Sequence, residues 1–163
     1  MHFLRPDLID KQQGASWQKA LTKYQRRFRQ IEHELPLSAL ELSRIDLHDL
    51  SVEELLKTED SCLSMTVGWY KMRFHGVLVS DASAELIERA WLCSEFDIYD
   101  TRHFELGVIF DGGITLRVVA RSVTCVDTIK GRVVAGSADG SARPRDENEE
   151  SKSRRRKRRR RKG

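Results

Sequence analysis

The sequence is poor in cysteine and proline and has no long apolar run. Cys62, Cys93 and Cys125 are its three thiols, odd in number and widely spaced. That pattern argues against a disulfide framework and for a reducing compartment. No apolar stretch approaches the roughly 18 residues that suggest a membrane-spanning helix. The opening Met1-His2-Phe3-Leu4-Arg5-Pro6-Asp7 is too polar to be read as a secretory signal. A phosphate-binding glycine loop, a nucleophile elbow and His-Glu-x-x-His are all missing. The histidines His2, His33, His48, His75 and His103 do not pair with cysteines at zinc-ligand spacing. A site from Cys62, Cys93, His103 and Cys125 would have to be collected by the fold; thiols buried as small hydrophobes are the simpler expectation. The chain therefore reads as non-enzymatic, with no catalytic residue, metal or cofactor expected.

What is present is a division of charge. The chain carries 29 Lys and Arg against 25 Asp and Glu, a net +4. Ten of those cations lie at the end: Lys152, Arg154, Arg155, Arg156, Lys157, Arg158, Arg159, Arg160, Arg161 and Lys162. The rest of the chain then has 19 cations against 25 carboxylates, a net −6. Such asymmetry points to an acidic partner for the tail alone. The tail has no aromatic residue for stacking on bases, so little sequence preference is expected. Nucleic acid, as RNA or ribonucleoprotein, is one expected partner. A nuclear import receptor is the other, because the run also satisfies a nuclear localisation signal. The expected location is nucleus and cytoplasm. Asp146, Glu147, Glu149 and Glu150 precede the basic block, with Ser151 and Ser153 at the junction, where phosphorylation would weaken the tail's charge.

Upstream, the pattern predicts α+β: N-terminal helices (1–58), an α+β core (59–136) of mostly antiparallel sheet with one packed helix, and a disordered linker and basic tail (137–163). Trp17, Leu21, Tyr24, Phe28, Ile31 and Leu35 follow a 4-3-4-3-4 spacing, one seam of a helix over Ser16–Leu35 with Ser16 as N-cap. Its other face carries Lys19, Lys23, Arg26, Arg27 and Arg29. The seam formed by Trp17, Leu21, Tyr24 and Phe28 packs either on the chain's own sheet or on a partner, through self-association. Leu37-x-x-Leu40-x-Leu42 looks like one unit of a leucine-rich repeat, but a single unit is not an array. Ser51-Val52-Glu53-Glu54 reads as a capping box opening a short helix to about Lys57.

In the core, Leu63, Met65, Val67 and Trp69 alternate, and Tyr70, Met72, Phe74 and Gly76 alternate with opposite parity, so Gly68 marks a bulge or break. Ser80-Asp81 is expected to cap a helix whose Leu86, Ile87, Ala90 and Trp91 share a face. Phe104–Phe110 reads as a strand and Asp111-Gly112-Gly113 as a hairpin turn. Ile114–Val126 is a long β-branched run with a parity change near Val118-Val119. Lys130-Gly131 then turns into Arg132-Val133-Val134. Asp97, Asp100 and Glu105 gather loosely around Tyr99 and His103, either as a solvated loop or as a hidden general acid or base.

The middle of the chain, from about Ser64 to Val126, resembles the core of a rhabdovirus matrix protein of the small, plant-infecting type. Met65-Thr66-Val67-Gly68-Trp69-Tyr70-Lys71-Met72-Arg73-Phe74-His75-Gly76 would be its first strand pair, Ser83–Trp91 its overlying helix, and Phe104–Val126 its later strands. The resemblance implies a structural protein that condenses ribonucleoprotein, self-associates as a homo-oligomer, and occurs in virion and host nucleus. Two other readings remain open: a cellular nuclear adaptor whose tail only imports it, and a small metal-dependent enzyme on nucleic acid using the carboxylates near Asp97.

Overall fold

The computed structural model describes residues 2–11, 14–58 and 61–136. The expected linker and basic tail (137–163), including Lys152–Lys162, lie outside the described residues. Among those described are two α-helices, α1 (Ala15–Ile31) and α2 (Leu37–Leu42), and nine strands. The strands are β1 (Val52–Thr58), β2 (Cys62–Val67), β3 (Tyr70–His75), β4 (Val79–Ser80), β5 (Trp91–Ile98), β6 (Phe104–Phe110), β7 (Thr115–Ala120), β8 (Ser122–Asp127) and β9 (Arg132–Ala135). They form two antiparallel sheets, a five-stranded one ordered β1-β2-β3-β8-β9 and a four-stranded one ordered β4-β7-β6-β5. The α+β class read from the pattern is the class observed.

The two sheets bury one face each against the other. Leu63, Met65 and Val67 of β2, Met72 and Phe74 of β3, and Val123 and Cys125 of β8 meet Phe104, Leu106, Val108 and Phe110 of β6 and Leu116, Val118 and Ala120 of β7 in one apolar cluster. Alternation at period two is what brings each set to one face. The sheets are also joined at both sides. On one side, β3 runs into β4 and β7 into β8, with Arg121 N–H donating to His75 O at 3.0 Å. Gly76 turns that corner at φ +60°, and a Cβ there would stand 3.1 Å from Arg121 Cβ. On the other side, the chain before β1 ladders onto the start of β5: Trp91 N–H donates to Leu50 O at 2.9 Å and Val52 N–H to Arg89 O at 3.0 Å.

Helix α1 packs on the outer face of the four-stranded sheet. Ile109 points outward from β6 and joins Leu4, Leu8 and Ala20, with Trp17 and Tyr24 packed alongside. Phe28 of the same seam reaches the main core. Helix α2 closes the far side, where Ser38 Oγ accepts the Val123 N–H at 3.2 Å beyond the end of β9.

Several local expectations are corrected. Residues 52–58 are strand, not helix: Leu55 pairs with Met65 and Thr58 with Cys62, and Glu54 accepts a hydrogen bond from Thr66 across the pair at 3.2 Å. A waiting partner strand outweighs the capping signal, and the boundary drawn at residue 58 falls between two paired strands. The helix expected to 91 shrinks to a 3₁₀ turn at Ala84–Leu86. Ser80 Oγ accepts the Ala82 N–H and Asp81 the Arg117 N–H, and the chain then joins the sheet as β5. That strand escaped notice because a bulge between Trp91 and Cys93 breaks its alternation. The helix assigned to Ser83–Trp91 by the matrix resemblance is overturned with it. Helix α1 starts at Ala15 with Gly14 as N-cap, in place of Ser16, and stops at Ile31. The leucines taken for a repeat unit lie in α2. Gly68 proves to be a break: with Trp69 it turns a tight β2–β3 hairpin at φ +50°, closed by the Val67–Tyr70 pair.

Candidate functional site

The strongest concentration of charge in the described body is on α1. The helix contains no Asp or Glu. Its seam faces the sheet, so Lys19, Lys23, Arg26 and Arg29, at spacings of 4, 3 and 3, are all exposed on the solvent side. Among the described residues none of the four is ion-paired. They span roughly 15 Å at 1.5 Å per residue, the rise of about four base pairs. Like charges three or four apart each cost an isolated helix about 0.2–0.5 kcal/mol. Arg29, in the last turn, complements the helix dipole, and the rest of the stripe is a solvated cationic face. Arg27 stands apart from the stripe, because its guanidinium donates to Asp97 Oδ1 at 2.8 Å.

The seam itself is largely spent within the chain. Trp17 and Tyr24 pack on the outer core around Ile109. The Tyr24 hydroxyl accepts the Phe96 N–H at 3.0 Å. Burial pushes that hydroxyl's pKa up to about 12. Trp17, Tyr24 and Phe28, read as either a core seam or a partner helix, pack on the chain's own body, and Leu21 is half-buried beside them.

Beneath the helix lies a small cleft lined by His2, Phe3, Tyr24, Glu95, Asp97 and Glu105. Glu95 is 5% exposed, and its carboxylate accepts the backbone N–H groups of His2, Phe3 at 3.3 Å and Leu4 at 3.2 Å. It pins the N-terminal segment to β5. Glu105 faces Arg117 at 2.7 Å, and that hydrogen bond holds its carboxyl below the usual glutamate range.

The other carboxylate of the loose cluster, Asp100, sits in the β5–β6 loop and accepts the Arg102 N–H at 2.7 Å, the His103 N–H at 2.9 Å and His103 Nδ1 at 2.9 Å. The Arg102 N–H is the main cause of its lowered pKa. Asp97, Asp100 and Glu105 thus each have a cationic or N–H partner, and Asp100 and Glu105 are ionised at neutral pH. The loop at 99–102 is exposed to solvent, as the solvated-loop reading expected, while Glu105 is buried against Arg117.

The possible zinc set is dispersed. Cys125 points into the core, Cys93 lies under α1, Cys62 is on the far outer face, and His103 is in a loop. Among the described residues no three metal-ligating side chains converge. No helix among them is long and apolar enough to cross a membrane. The pairing of Glu95 with residues 2–4 and of Cys62 with His75 was missed in the sequence, since the first depends on how the N-terminal segment packs on β5 and the second on strand register. Comparison with family models, curated proteins and solved structures finds no match for this chain.

Proposed function

We propose that this is a non-enzymatic structural protein that binds nucleic acid or ribonucleoprotein through its C-terminal arm, with the α1 stripe as a weaker second contact. The observation that carries it is the division of charge: ten cations in Lys152–Lys162 against a body of net −6. Each phosphate neutralised releases condensed counterions, so an arm of this density binds tightly at low salt and weakly at high salt. The matrix-type role, condensing ribonucleoprotein while the body self-associates, is the form this reading takes. The edge strands β1 and β9 suit self-association, since Leu56 and Val133 are exposed on them. A nuclear adaptor is the second reading, favoured by the nine consecutive cations Arg154–Lys162.

The test compares RNA affinity across a salt series for the full chain, a chain ending at Ser151, and a Lys19→Gln, Lys23→Gln, Arg26→Gln triple variant. The truncation is expected to lose nearly all affinity, and the triple variant a minor part. The wild-type salt slope should be about −0.7 per phosphate contacted on single strands. RNA affinity that survives truncation overturns the arm as the site and moves it to α1. A full chain that fails to bind RNA, while Ser151–Gly163 carries an inert reporter into nuclei, replaces this reading with the adaptor.

A further inference from the structure

The three thiols occupy three different surroundings. Cys93 lies beneath α1, and burial pushes its pKa up to about 12. Cys125 faces the core, and burial does the same there. Cys62 opens β2 on the outer face of the five-stranded sheet and is half-exposed. Its Sγ lies 3.9 Å from His75 Nδ1, and His75 Nε2 lies 3.2 Å from Thr124 Oγ1. Thiol, imidazole and hydroxyl thus follow one another across β2, β3 and β8.

Strand register builds this line. Leu63 pairs with Phe74, so Cys62 and His75 stand opposite each other one step further along. Thr124 pairs with Arg73, diagonal to His75. With Nε2–H donating to the Thr124 hydroxyl, Nδ1 presents its lone pair to the sulfur. Burial, and then the Arg73 charge, lower the His75 pKa, so the ring is neutral at neutral pH, with a lone pair open to a proton but a weaker base than a free imidazole. Among the described residues, the other groups beside the pair include Thr58 of β1, whose hydroxyl donates to Cys62 O, and Ser122 of β8, opposite His75. Arg121 stands at the corner against Gly76, and Lys71 is exposed on the same face. Glu59 and Asp60, which precede Cys62 in the chain, lie outside the described residues.

We propose that Cys62 is a site of thiol–disulfide exchange with small anionic disulfides, with His75 as its proton acceptor and Thr124 as the residue that positions the ring. The Cys62 thiol gives its proton to His75 Nδ1, and the sulfur attacks one sulfur of the disulfide. A Cys62 S–S bond forms and the disulfide's own S–S bond breaks. The released half leaves as a thiolate with the electron pair, and the proton on Nδ1 passes to water. The disulfide is itself the oxidant, reduced as Cys62 is oxidised. Arg73, Arg121 and Lys71 favour a reagent carrying carboxylates.

The experiment treats the full-length native protein with dithiobis(nitrobenzoate), a dianionic aromatic disulfide, follows thiolate release, and maps the modified residue by peptide mass spectrometry. One fast equivalent is expected, at Cys62. Cys62→Ser should abolish the fast phase. His75→Gln should slow it at least about fivefold at neutral pH, because the proton acceptor beside the sulfur is gone. Thr124→Val should fall between wild type and His75→Gln. A fast equivalent at Cys93, or an unchanged rate in His75→Gln, overturns the proposal. The identity of the fast thiol in wild type decides alone if either ring variant unfolds. Bis(hydroxyethyl) disulfide, which is neutral, should react more slowly relative to free cysteine than the dianion does; equal relative rates overturn the anionic preference.

Discussion

The outer face of the four-stranded sheet lies under α1 and the N-terminal segment, whereas that of the five-stranded sheet carries Lys71 and Arg73 into solvent beside the half-buried Ser64 and Thr66. The covered face holds two of the three buried carboxylates among the described residues; the third, Asp127, lies in β8. Glu95 and Glu105 lie there almost out of water, and Tyr24 is half-buried with its hydroxyl engaged. Among the described residues no buried side-chain nitrogen or oxygen is left without a hydrogen-bond partner. Cover makes polar pairing a condition of stability, since an unpaired buried group costs about 1–3 kcal/mol. Away from Ser122 and Thr124, which are buried on it, the open face makes less of this demand, so its exposed side chains can meet solutes.

The sharpest break of this contrast is by core truncation. Ile109→Ala, at a fully buried position under α1, should cost about 2–5 kcal/mol. Ser64→Ala on the open face should stay within about 0.5 kcal/mol. Chemical denaturation of both variants measures the difference, and comparable costs would dissolve the distinction between the faces.

Removing the clamp comes next. Glu95→Gln keeps one acceptor oxygen but loses the charge that strengthens its hydrogen bonds to residues 2–4. The loss should be about 1–3 kcal/mol, with amide exchange at Phe3 and Leu4 accelerating more than exchange in β8. Unchanged protection at Phe3 and Leu4 would show that Glu95 does not hold the segment.

The smallest effect concerns pH. Arg117 lowers the Glu105 carboxyl below its ordinary value of 4.5. A group of this kind contributes stability that is complete above the unfolded value and is lost as pH falls through the lower folded one. Glu105→Gln should therefore flatten the acid limb of the stability profile below pH 4.5. Parallel acid limbs in wild type and Glu105→Gln would remove the Arg117 pair from the account.

Much of the fold could be read from residue order where one rule acted alone. The seam from Trp17 to Phe28 marked α1, and the stretch Phe104–Phe110 with its Asp111-Gly112-Gly113 turn marked a hairpin that the structure keeps. The parity change placed near Val118-Val119 falls at Arg121, where the chain crosses between sheets. Reading failed where two rules competed. Ser51 and Glu54 satisfy a helix cap, yet edge pairing with β2 won. Trp91–Ile98 hid its alternation behind a bulge. Cys62 and His75 are thirteen positions apart and meet only because the Gly68–Trp69 turn sets the β2–β3 register.

Residue order by itself determined the charge of the Lys152–Lys162 run, the amphipathic character of α1 and the alternating strands, because each is a property of neighbouring residues. Tertiary structure alone decided which sheet face α1 covers, which carboxylates receive N–H or guanidinium partners, and which thiol is left beside an imidazole. Alternation reveals that a strand has two different faces. What lies against each face depends on pairing between segments far apart in the chain, and no local pattern encodes that pairing.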